Sequence, residues 1–144
     1  MGLRAMTRPD LYLTNWSSPK LHGPGRKLTI MTHPRHWEKG DGVVPSCRPA
    51  ADMLLRVKQG GVTWGDLRTH VLARVRGQGH KPGDLWAIVM GQTVPVAAGD
   101  TLCCGCSKQD AAEGRCHRTY VAEVLSKAGW RVILDGEDLD LQLF

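Results

Sequence analysis

The chain has 144 residues, 42% of them hydrophobic and 23% charged, with a formal net charge of +5. This is enough chain for one packed core, and no apolar run reaches membrane-spanning length. The polar opening from Met1 to Asp10, with Arg4 and Arg8, does not read as a secretory signal. Five cysteines, four of them crowded together, do not resemble a secreted disulfide framework, so reduced thiols and a cytoplasmic setting are expected. The positive charge fits an anionic partner, either a nucleotide-like ligand or nucleic acid.

In chain order, Leu11 to Trp16 reads as a first strand, stopped by Ser17-Ser18-Pro19. Leu28 to Thr32 reads as a second, ended by His33-Pro34. A polar stretch from Arg35 to Ser46, with the turn signal Gly40-Asp41-Gly42, is expected to be a ligand-facing loop. Helices follow over about 49–59, ended by Gly60-Gly61, and from Thr63. Thr63 and Asp66 have capping-box spacing, and Trp64, Leu67, Val71 and Val75 form an apolar stripe. Gly77-Gln78-Gly79 lacks the strand that precedes a dinucleotide loop and is read as a helix stop.

Leu85 to Met90 suits either a strand or a short helix, and Asp84 as a cap tilts the reading to helix. Thr93 to Gly99 is expected to be irregular and Thr101 to Cys104 a buried strand. The clearest helix carries Val121, Val124, Leu125 and Ala128 on one face and ends at Gly129. Trp130 to Leu134 closes as a strand, and an acidic, then apolar tail follows Asp135. Strand, helix and strand at this spacing imply a parallel βαβ unit. The expected fold is therefore α/β: a single domain over 1–144 with a mostly parallel central sheet flanked by helices, Rossmann-like and three-layered. Residues 1–10 are a flexible terminus in this reading. Residues 136–144 are a tail able to dock on the body or support an oligomer.

The chemistry gathers in Cys103-Cys104-Gly105-Cys106 and Cys116-His117-Arg118. A loop joining that strand to that helix lies at the strand's carboxyl edge, where open α/β sheets take ligands. The helix N-terminus offers free N–H groups and a positive dipole end to an anion, and favours a reactive Cys116 thiol. His117 falls on the apolar face as proton donor or orienter. Arg118, turned away by one position, is placed to clamp a phosphate or carboxylate. Asn15, Ser17 and Arg35, at the ends of the first two strands, are further ligand contacts. His33 and His36 add polarity beside Arg35. Trp16 and Trp37 are candidates to stack a base.

A second reading of the same residues is a metal centre. Cys104, Cys106, Cys116 and His117 make a Cys₃His set suited to zinc or an iron–sulfur cluster, holding a non-catalytic module that contacts nucleic acid or a protein. In both readings Cys103 and Cys47 are packing thiols.

The segment from Leu102 through Cys116-His117-Arg118 to Trp130 resembles the Cys-His-Arg proteins called domain of unknown function 488. Those pair a strand ending in Cys with a Cys-His-Arg triplet opening a helix. Leu11 to Ser17 and Ile30 to Arg35 are similar to that family more loosely. Gly105 and Cys106 stand where the family carries an acidic residue, and the loop here is longer. The resemblance implies an intracellular α/β fold and a nucleotide- or nucleic-acid-related role.

Overall fold

The computed structural model describes residues 8–32, 34, 40–105 and 116–139. Its strands are β1 (Asp10–Asn15), β2 (Lys27–Thr29), β3 (Gly42–Val43), β4 (Trp86–Val89), β5 (Gln92–Pro95), β6 (Thr101–Cys104), β7 (Arg131–Leu134) and β8 (Glu137–Asp138). Its α-helices are α1 (Ala51–Lys58), α2 (Trp64–Gly77) and α3 (His117–Lys127). The strands form one eight-stranded sheet in the order β5-β4-β3-β2-β6-β1-β7-β8.

The class is α/β, but the sheet is mixed, which corrects the expectation of a mostly parallel one. The five central strands run parallel: β3 with β2, β2 with β6, β6 with β1 and β1 with β7. Both flanks are antiparallel, with β4 and β5 on one side and β8 on the other. The physical cause is two short turns. Met90-Gly91 joins β4 to β5 and Asp135-Gly136 joins β7 to β8, and all four residues have positive φ (52°, 77°, 50° and 87°). Two-residue turns of this kind match the twist of a hairpin and return the chain antiparallel.

The same turn explains why Leu85 to Met90 is strand rather than helix. Trp86 and Ile88 are exposed and Ala87 is buried, a period of two that belongs to a sheet. Asp84 does not open a helix there; its N–H closes a turn onto the Lys81 carbonyl. Thr93 to Pro95, expected to be irregular, belongs to β5. The second strand is shorter than its apolar run, although Ile30 N–H still donates to the Cys103 carbonyl at 2.9 Å.

The remaining elements follow local signals. Thr63 and Asp66 form a reciprocal capping box at the start of α2 (3.0 and 3.1 Å). Leu67, Val71 and Val75 are buried in the core, with Trp64 packed at its margin. Gly77-Gln78 ends α2. Helix α3 lies over β1, β6 and β7 and packs against α2, so His117, Arg118, Tyr120, Val121, Val124 and Leu125 are all buried. Gly129, at φ 114°, turns the chain out of α3. Trp130 then anchors it, its indole donating to the His80 carbonyl at 2.9 Å.

At its centre, the sheet face opposite α3 meets the loop after β1, where Gly23 N–H donates to Thr101 Oγ1 at 2.7 Å. Part of the tail also joins the body: Glu137 and Asp138 form β8, and Leu139 packs on the core. Residues 140–144 lie outside the described residues. Among the described residues, no helix is long and apolar enough to cross a membrane.

Candidate functional site

The carboxyl ends of the parallel strands and the N-terminus of α3 meet at one place. From β1 the chain passes to β2, beyond β6; from β6 it passes through α3 to β7, beyond β1. The two connections run on opposite faces of the sheet, α3 on one and the β1–β2 loop on the other, and each passes its neighbour's carboxyl end, the edge where open α/β sheets take ligands. Asn15 and Cys104 stand opposite each other at this point.

Paired residues in a ladder share a face. Asn15 and Cys104 therefore lie on the α3 side, and Thr14 and Cys103 on the other. Cys116 is the N-cap residue of α3, at φ −137° and ψ 135°, with His117 and Arg118 in the first turn. The Cys116 sulfur sits 3.2 Å from that of Cys104.

Arg118 is fully buried, although the sequence pattern turns it away from the core. Its Nη1 lies 2.8 Å from Cys104 Sγ and 3.9 Å from Cys116 Sγ. Its Nη2 donates to Asp135 Oδ2 at 3.1 Å, a buried ion pair. Thr14 Oγ1 donates to the other Asp135 oxygen at 2.9 Å, so the carboxylate is gripped from both sides. Burial works to lower the Arg118 pKa, but the Cys104 and Cys116 sulfurs and the Asp135 carboxylate outweigh it and push it up. The guanidinium is a permanent cation at the centre of the junction, facing two sulfurs and one carboxylate.

His117 is also buried, as its place on the apolar face predicts. Its Nε2 meets the Ile30 carbonyl at 2.6 Å and ties α3 to the end of β2. A ring nitrogen facing a carbonyl is the protonated one, which fixes the tautomer. Burial is the main cause of a lowered pKa, so the ring is neutral at neutral pH. The ring orients the helix start.

Asn15 is only 8% exposed, and its Oδ1 has no hydrogen-bond partner. Trp16 Nε1 and His22 Nδ1 are also buried and unpartnered. His22 Nε2 meets the Asn15 carbonyl at 3.0 Å, and the Trp16 and His22 rings pack edge to face at 6.4 Å. Three polar atoms in one short segment are thus left without partners, where buried groups ordinarily find them, with Asn15 on the α3 face and His22 beside Cys103 on the other. Ser17 is exposed just beyond. Beside β2 and β3, a groove of about 290 Å³ is lined by Thr29, Pro34, Gly40, Asp41, Gly42, Val43 and Arg48. Arg48, in its lining, donates to the Met31 carbonyl (2.5 Å) and the Thr32 carbonyl (3.4 Å).

The structure thus brings Asn15, Cys104, Cys116, His117 and Arg118 together. Arg35, Cys106, His33, His36 and Trp37 lie outside the described residues. Cys103 is on the opposite face, 4.0 Å from His22 Nε2, with its thiol pushed up to about 12 mainly by burial. Cys47 is in the core, also pushed up to about 12 by burial. Both behave as the packing thiols expected. Among the described residues, no three His, Cys, Asp or Glu side chains converge to hold a metal ion.

Asp135 is the residue the sequence reading missed. Its signal was Asp135-Gly136 after an apolar strand, the strongest short hairpin pattern, which also places the carboxylate at the end of β7. No family model matches this chain, and no curated protein or solved structure does.

Proposed function

We propose that this protein is a small enzyme or ligand sensor that takes an anionic, nucleotide-like group at the carboxyl edge of its parallel strands, beside the N-terminus of α3. The observation that carries the reading is Asn15: more than nine-tenths buried, unpartnered at Oδ1, and paired in register with Cys104 at the carboxyl edge. The helix N-terminus attracts the anionic group, and the Asn15 Oδ1 acceptor suits an N–H or O–H on the neutral base or sugar of the same ligand. The resemblance of the Cys-His-Arg segment to domain of unknown function 488 supports the nucleotide class.

In this reading the roles divide. The first-turn N–H groups of α3 and the Asn15 amide contact the ligand, with Ser17 at the rim and Arg35 as a further cation. Cys116, at the helix cap, is the nucleophile or polar anchor. His117 holds the cap to β2. Arg118 supplies positive potential from beneath, and Asp135 and Cys104 keep it in place.

A nucleotide panel read by thermal shift tests this. A rise in Tm with one nucleotide class, lost in Asn15→Ala, is expected. No shift with any nucleotide or with inorganic phosphate would sink the proposal.

The adjacent Cys104 and Cys116 sulfurs favour one other reading, a zinc- or iron-stabilised binding module for nucleic acid or a protein partner. Native mass before and after chelation separates the two. A metal-sized increment lost together with folding supports the module.

A further inference from the structure

Cys104 ends β6 and Cys116 caps α3, so two rigid elements hold the two sulfurs face to face at 3.2 Å. A covalent S–S bond is about 2 Å long, so closing it needs a movement of only about 1 Å. Gly105, with no side chain, directly follows Cys104. Arg118 Nη1, 2.8 Å from Cys104 Sγ, favours negative charge on that sulfur over its partner at 3.9 Å. The pair therefore has an asymmetry suited to chemistry: one sulfur supported as the attacking thiolate, the other within reach to resolve.

We propose that Cys104 and Cys116 form a dithiol–disulfide couple oxidised by a small peroxide. The Cys104 thiolate attacks one peroxide oxygen. A sulfur–oxygen bond forms, the O–O bond breaks, and hydroxide leaves, giving a sulfenic acid. The Cys116 thiol then attacks that sulfur. The S–S bond forms, the S–O bond breaks, and the departing hydroxide takes the Cys116 proton as water. Two thiols are oxidised and one peroxide is reduced. Both sulfurs are at most 1% exposed, which selects an oxidant as small as hydrogen peroxide over a bulky disulfide. Burial is the main influence on Cys47 and Cys103 and keeps both as neutral thiols. This couple does not depend on the anion-binding reading, and either can fail alone.

The test treats the folded, reduced full chain with stoichiometric hydrogen peroxide and maps peptides without reduction. The expected product is a Cys104–Cys116 cross-linked peptide, with Cys47 and Cys103 still free and full reversal by a dithiol. Arg118→Met should slow the cross-link roughly tenfold. Arg118→Lys, which keeps the charge, should slow it less, and the wild-type map stands if neither variant folds. Retention of all five thiols would overturn the proposal. So would a cross-link through Cys106 instead, sulfinic acid on Cys104 without cross-linking, or a chelatable metal masking the pair.

Discussion

Arg118 is the residue on which the junction turns. A guanidinium removed from water is costly unless its charge is met, and here Asp135 and the Cys104 sulfur meet it. Removing one side of such a pair leaves the other buried and unpaired. Asp135→Asn keeps the shape, tolerates the positive φ and can still accept from Thr14, so it isolates the charge. It is expected to cost about 3 kcal/mol in denaturant unfolding; a loss below about 0.5 kcal/mol would mean the sulfurs alone carry the balance. His117 adds a pH dependence. Its folded pKa is lowered from 6.5 by burial, so on acidification the unfolded chain takes up the proton first. The stability tied to the neutral ring is therefore present above 6.5 and is lost as the pH falls below it. Tm should drop between about pH 7 and pH 5, and His117→Gln should flatten that drop. Equal slopes in the two proteins would place the acid sensitivity elsewhere.

At the scale of elements, turns and caps decide what the apolar runs become. The β4–β5 turn places Met90 at φ 52° with 94% of its surface exposed. An unbranched side chain pays for this backbone and gains no contact in return. Asn suits such a turn before Gly, so Met90→Asn should raise stability by about 0.5 kcal/mol, read as a higher unfolding midpoint. A fall would show that Met90 makes contacts in solution. Thr63→Ala removes one half of the α2 capping box and should cost about 1 kcal/mol. These turns also explain why the antiparallel flanks of the sheet are not legible in the apolar runs. Alternation in Trp86-Ala87-Ile88 is only three residues long, too short to separate strand from helix by period. Asp135-Gly136 was the more informative signal, and reading it as the start of an acidic tail hid both a strand and a site residue.

At the scale of the whole molecule, the parallel centre and hairpin flanks together position the site. The centre sends the ends of β1, β2, β6 and β7 to one edge, and the β7–β8 turn returns Asp135 to that edge. What the sequence alone determined is local: the Cys-His-Arg start of α3, the capped and striped α2, the buried β6, and the class α/β. Caps, glycine stops and apolar period act over a few residues, so they are legible without the fold. Tertiary structure alone decided strand order, the mixed character of the sheet, and the partners of the cysteine cluster. Cys104 and Cys116 are twelve residues apart, Arg118 reaches Asp135 across α3 and β7, and Asn15 pairs with Cys104 across more than half of the chain. Those pairings depend on which strand lies beside which, a long-range choice made by burial of the entire core rather than by any segment's own preference.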